Sequence, residues 1–128
     1  MSRARRARKV ELGDLVSKAR MRYYGVGPRK VRDVADLIRG LTVADAQGQL
    51  SALHRPSGVP IVTRLIKSAL SNANQQGDKN WDPEELVIGR IDVDGGPIQY
   101  RFQPMSMGRA GKIRKRTCHI TLELWTEA

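Results

Sequence analysis

The sequence predicts an α+β fold, with three helices packed on a small antiparallel sheet and a long β-hairpin projecting from it. Three observations carry that prediction. Apolar residues recur at helical spacing in three stretches between Pro28 and Asn74. The period then shortens to two in Val87–Val93 and again in Cys118–Leu124. Between those stretches, two arms flank a Gly-containing tip, and their outer half has almost no apolar residue to bury.

Residues 1–20 read as a basic N-terminal arm, and 21–128 as a single domain that includes the projecting hairpin, 98–119. The arm opens with five basic residues in nine, Arg3, Arg5, Arg6, Arg8 and Lys9, and lacks a sustained apolar period. Ser2–Lys9 is expected to be disordered until a partner orders it. Met21–Val26 suits a short strand before Gly27-Pro28.

Pro28 fits the first turn of a helix, where its missing N–H is not needed. Val31, Val34, Ala35 and Ile38 fall on one face of that helix, and Gly40 stops it. A second helix starts at Thr42, whose hydroxyl can cap it with Asp45 three residues on, and its apolar set is Val43, Ala46, Leu50 and Leu53. The third runs from about Pro60 to Asn74. Ile61, Leu65, Ala69 and Ala73 form its buried stripe, widened by Val62, Ile66 and Leu70. So broad an apolar face predicts the central helix.

Val87, Gly89, Ile91 and Val93 then alternate with Ile88, Arg90 and Asp92 as in a strand. Asp94-Gly95-Gly96-Pro97 reads as a turn or bulge. The arms Ile98–Gln103 and Lys112–Leu124 flank the tip at Pro104–Gly111. Cys118, Ile120, Leu122 and Leu124 alternate with Thr117, His119, Thr121 and Glu123, so only the base of the hairpin packs on the core.

With 128 residues, of which 40% are hydrophobic, the chain has length for one domain and apolar content for one small core. The net charge of +10 is segregated. Residues 1–32 carry eleven Lys and Arg against Glu11 and Asp14, and residues 99–119 carry six with no acid. Residues 33–98 carry six basic and nine acidic residues, like an ordinary soluble domain. Two basic blocks around a centre of net charge −3 are the footprint of a polyanion binder with two contact regions. Aromatics at 5% argue against a base-stacking platform of several aromatic side chains.

Catalysis has little to work with. Cys118 and His119 are adjacent in a strand and point to opposite faces, so they cannot form a nucleophile pair, and Cys118 reads as a small core residue. Glu84-Glu85 and Asp92/Asp94 read as solvated loop charges. One cysteine and two histidines exclude a disulfide framework and offer no zinc-ligand spacing. No metal, cofactor or small-molecule substrate is expected. The apolar stretch Ile61–Leu70 is broken by Thr63, Arg64, Lys67 and Ser68, so no membrane span is expected. The Arg-rich start is followed by no apolar signal core, which favours the cytoplasm over secretion or an organelle. Met105 and Met107, set among glycines at the tip, would be shielded within folded RNA.

Gly27-Pro28-Arg29-Lys30-Val31-Arg32 with Val34-Ala35-Asp36-Leu37-Ile38-Arg39-Gly40 resembles the signature first helix of the universal large-subunit ribosomal protein family numbered twenty-two. Ser68-Ala69-Leu70-Ser71-Asn72-Ala73, Val93-Asp94-Gly95-Gly96-Pro97, Gly108-Arg109-Ala110 and Lys115-Arg116-Thr117-Cys118-His119-Ile120-Thr121 continue the match in the family's order. The resemblance covers roughly Met21–Leu124. It implies a structural component of the large ribosomal subunit that binds ribosomal RNA, meets neighbouring ribosomal proteins and supports subunit assembly. It also implies a hairpin that reaches the wall of the nascent-peptide exit tunnel and can influence macrolide sensitivity. Arg29, Lys30, Arg32, Arg101, Arg109, Lys112, Arg114, Lys115, Arg116 and His119 are then RNA-facing candidates. Met105, Ser106, Met107, Gly108 and Arg109 form the tunnel-side tip, in contact with the nascent peptide. The basic block adds Arg20 and Arg22, and the arm residues Arg3–Lys9 rest on charge alone. Met105, Met107 and Tyr100 stand where basic residues are common in the family, and Gly95 stands where an acid is common. The alternative reading is a free architectural RNA- or DNA-binding protein.

Overall fold

The three helices form where the apolar spacing placed them. The computed structural model describes residues 11–77 and 79–128. Strand β1 (Leu12–Tyr24) is followed by helices α1 (Pro28–Ile38), α2 (Val43–Ala52) and α3 (Val59–Gln76). Strands β2 (Leu86–Gly95), β3 (Gln99–Pro104), β4 (Ala110–Lys115) and β5 (Cys118–Glu127) complete the chain.

In α1 the buried residues are Val31, Val34, Ala35 and Ile38, the set its spacing predicted. Gly40 adopts a left-handed φ of 81°, which lets the chain leave the helix and donate its N–H to Ile88 O at 2.9 Å. The Thr42 hydroxyl caps α2 by accepting from Asp45 N–H at 3.2 Å. Val43, Ala46 and Leu50 are buried there, whereas Leu53, just beyond the helix, is only half-buried. Helix α3 buries Ile61, Val62, Leu65, Ile66, Ala69 and Ala73.

An antiparallel sheet in the order β1-β5-β2 lies under the helices, with β5 in the centre. Its covered face carries Ala19, Ile91, Val93, Ile120, Leu122 and Leu124 in one continuous core with α1, α2 and α3. Strands β3 and β4 form a separate two-stranded ribbon and pack extensively only on each other. Every β3 residue is exposed.

The structure corrects five sequence expectations. Residues Leu12–Arg20, assigned to the arm, pair with β5 from Leu12↔Glu127 to Arg20↔Thr121. They carry no apolar period because the side chains facing α3 are small. Ser17 and Ala19 are buried there, and Ser17 Oγ donates to Ala69 O at 2.8 Å. The strand ends at Tyr24 instead of Val26. Arg3, Arg5, Arg6, Arg8 and Lys9 lie outside the described residues.

In β2 the alternation does not run straight through. The register shifts between Ile88 and Arg90, so Leu86 and Ile88 are buried ahead of the bulge, and Ile91 and Val93 after it. Gly89 sits at the shift because a Cβ there would lie 2.5 Å from Trp125 Cδ1 and 2.9 Å from Leu12 Cδ2.

Asp94–Pro97 does not reverse the chain. Strand β2 runs through Gly95, and the chain continues into β3. The expected single arm Lys112–Leu124 is divided at Arg116-Thr117 into β4 and β5. Two bonds bridge this joint: Gly96 N–H donates to Thr117 O at 2.8 Å, and Thr117 Oγ1 donates to Pro97 O at 2.7 Å. The ribbon therefore prolongs the β2–β5 pairing beyond the core.

Candidate nucleic-acid interface

The uncovered face of the three-stranded sheet is built from side chains that alternate with the core. On β1 these are Lys18, Arg20 and Arg22, each two residues from the next. Opposite them β5 presents His119, Thr121 and Glu123, and β2 adds Arg90, Asp92 and Asp94. Together with Tyr23 these residues line an open cavity of about 510 Å³.

Two of the acids on this face, Glu123 and Asp92, are held by neighbouring cations. Glu123, only 5% exposed, accepts from Lys18 Nζ at 3.2 Å and faces Arg90 Nη1 at 3.9 Å. Arg90 Nε also donates to Asp92 Oδ2 at 2.7 Å. A buried carboxylate needs such partners, since removing it from water alone would cost several kcal/mol. No ion pair within the described residues holds Arg20 or Arg22.

His119 joins the two basic blocks. Its Nδ1 accepts the Tyr23 N–H at 3.0 Å, and the two rings meet edge-to-face with centroids 4.9 Å apart. With Nδ1 occupied as acceptor, the neutral ring carries its proton on Nε2. Tyr23 has a φ of 57°, a strained conformation for a bulky residue, and this bond is one of its restraints. Nearby, a Cβ on Gly27 would lie 4.0 Å from the Cβ and Cδ of Arg116. The start of α1, with Arg29 and Lys30 exposed on its first turn, thus lies beside the base of the ribbon. Blocks separated by sixty-six residues of sequence become one surface.

Arg32 has a different setting within that surface. Its Nε and Nη2 donate to Val93 O at 3.1 and 3.0 Å, so two of its five donors tie α1 to β2. Along the ribbon the basic residues are divided between two faces. Tyr100↔Arg114 and Phe102↔Lys112 pair across one face, while Gln99↔Lys115 and Arg101↔Ile113 pair across the other. Arg101 donates to Tyr100 O at 3.1 Å and to Gln99 Oε1 at 3.3 Å. At the end, Met105 N–H donates to Arg109 O at 2.7 Å around the turn Ser106–Gly108. Met107 has a φ of 61° and is 94% exposed.

Lys18, Tyr23 and Arg90 were absent from the sequence-predicted set. The two-residue spacing of Lys18, Arg20 and Arg22 is the signal that marks them as one strand face. Tyr23 and Arg90 have no such signal, because the tertiary pairing alone brings them to His119 and Glu123. Cys118 is buried, and that burial pushes its thiol pKa up, partly offset by the Arg32 guanidinium. His119 lies on the opposite face of β5, so the two cannot act as a nucleophile pair. Among the described residues, no three His, Cys, Asp or Glu side chains are grouped to hold a metal ion. Nor is any helix among them long and apolar enough to cross a membrane.

Residues 19–124 match the family model of ribosomal protein L22p/L17e. The "Large ribosomal subunit protein uL22" of Trichlorobacter lovleyi is 45% identical over 108 residues, 84% of this chain and 93% of its own. Its counterpart from Desulfitobacterium hafniense is 45% identical over 106 residues, 83% of this chain and 90% of its own. That of Myxococcus xanthus is 42% identical over 108 residues, 84% of this chain and 94% of its own.

Proposed function

We infer the function from the premise that this chain belongs to the ribosomal protein L22p/L17e family. It is a structural constituent of the large ribosomal subunit, not an enzyme, and it binds ribosomal RNA and neighbouring ribosomal proteins in the cytoplasm. Its RNA-facing surface is the continuous one that runs from Arg20 and Arg22 through His119, Arg116, Arg29 and Lys30 onto the ribbon. The observation that carries this reading is the meeting of the two basic blocks at Tyr23–His119 and Gly27–Arg116. Phosphate oxygens match the planar fork of an arginine, and a surface tracking an RNA backbone needs several such forks in sequence. The ribbon carries Arg101, Arg109, Lys112, Arg114 and Lys115 outward from that surface, and its tip, Met105–Arg109, lines the nascent-peptide exit tunnel. The arm residues Arg3–Lys9 add phosphate contacts.

Incorporation into large subunits tests the surface. Arg22→Ala with Arg116→Ala should reduce co-sedimentation of the protein with large subunits in a sucrose gradient at moderate salt. Arg64→Ala with Lys67→Ala, exposed on α3 outside both blocks, should not. Equal incorporation of the two double variants would rule out the proposed surface. For the tip, deleting Met105–Gly108 should leave assembly intact and change peptide stalling or macrolide response. Unaltered stalling and drug response in assembled subunits would leave the ribbon a scaffolding role only.

A further inference from the structure

The composition argued against an aromatic stacking platform, yet the structure places two of the chain's six aromatic side chains side by side in solvent. Tyr100 is 55% exposed and Phe102 is 82% exposed, both on β3. Two residues apart on a strand, they point to the same face of the ribbon. Lys112 and Arg114 pair directly across from them, and with Arg101 they line a groove of about 330 Å³. Among the described residues, no helix or strand of the body packs extensively on this face. Exposed aromatics of this size are costly to leave in water and mark a contact surface.

We infer that Tyr100 and Phe102 form a stacking step for unpaired RNA nucleotides, with Lys112 and Arg114 neutralising the phosphates beside the stacked bases. This rests on the RNA-binding reading above and specifies which form of RNA the ribbon takes. Charge complementarity selects the occupant: residues 99–119 hold six cations and no acid, so a polyanion fits and an ordinary protein surface does not. Spacing selects the unpaired form. Two residue rises on a strand are about 6.8 Å. That is twice the roughly 3.4 Å rise per nucleotide in a stacked strand, so one base fits between the two rings. A base within a duplex has both faces closed, whereas an extruded base has both open. Arginine planes and lysine ammonium groups next to aromatic rings complete a site tolerant of base identity.

The test uses the full chain with two probes at fixed salt: a short single-stranded RNA carrying 2-aminopurine, and the same strand annealed to its complement. Binding of the single strand by the wild type should quench 2-aminopurine fluorescence. Phe102→Leu and Tyr100→Leu keep an apolar, strand-compatible side chain but remove the ring. Each should weaken single-strand binding by about 5- to 100-fold and diminish the quench. Duplex affinity and the slope of log affinity against log salt should stay unchanged, because no phosphate contact is removed. Arg114→Ala should instead lower the slope for the single strand by about 0.7. If the leucine variants bind both probes as the wild type does, or lose affinity for both equally, the stacking step is refuted while the RNA-binding surface stands. A wild type that binds neither probe overturns both.

Discussion

The body sheet and the ribbon are made from the same two passes of the chain, yet they differ in what lies over them. Strands β2 and β5 place Ile91, Val93, Ile120 and Leu122 beneath the helices, where each is buried. Strands β3 and β4 carry on the same antiparallel pairing with Tyr100, Arg101 and Phe102 opposite Arg114, Ile113 and Lys112, and no helix among the described residues packs extensively on them. Backbone pairing sets the direction and register of both regions. Burial stabilises only one of them, because an isolated two-stranded hairpin is at best marginally stable in water. The difference separates a region that holds the fold from a region that the fold holds out from itself.

The sharpest way to break this comparison is to remove apolar volume from the body. Leu65→Ala, at a residue 3% exposed on α3, should cost about 2–5 kcal/mol in chemical denaturation. A loss below 1 kcal/mol would show that the helix layer is not what stabilises the sheet. The bulge comes next. Gly89→Ala drives a methyl into Trp125 Cδ1 and Leu12 Cδ2 and should cost about 1–3 kcal/mol, read by the same denaturation.

Cys118 sharpens the boundary, since it is the first β5 residue beyond the ribbon and pairs with Gly95. Its folded pKa lies above the ordinary value of 9.0, so the native state keeps a proton that the unfolded chain releases. The native state therefore binds more protons there, and stability falls as pH rises through that value. Between about pH 7.5 and about pH 10 the wild type should lose more of its denaturation midpoint than Cys118→Ala. Equal losses would place Cys118 in a solvated setting. The smallest effect belongs to the ribbon: Arg114→Ala should change free-protein stability by less than about 0.5 kcal/mol. A loss comparable to that of Leu65→Ala would mean that the ribbon packs on the body.

Much of the helix layer was legible because each helix buries one periodic stripe. Val31, Val34, Ala35 and Ile38 announce α1, and the Thr42–Asp45 pair announces the start of α2. The first half of β1 was not legible. Its buried positions are Ser17 and Ala19, chosen for the close approach of α3, so the sequence there shows charge without an apolar period. At Gly89 the straight alternation assigned Ile88 to the wrong face, because a bulge inserts one residue where periodicity assumes none.

For the candidate site, the residue types and the segregation of charge were readable from the chain alone. Arginines and lysines without acids in residues 99–119 name a polyanion as partner, since uncompensated charge acts at long range whatever the fold. Short-range geometry was decided only by tertiary structure. Tyr23 meets His119 across ninety-six positions, Arg32 is bonded to Val93 O, and Tyr100 and Phe102 are left exposed because no helix among the described residues packs extensively on β3. Local periodicity reports which face of an element is apolar. Which elements meet, and which faces remain open to a partner, follows from packing between distant segments.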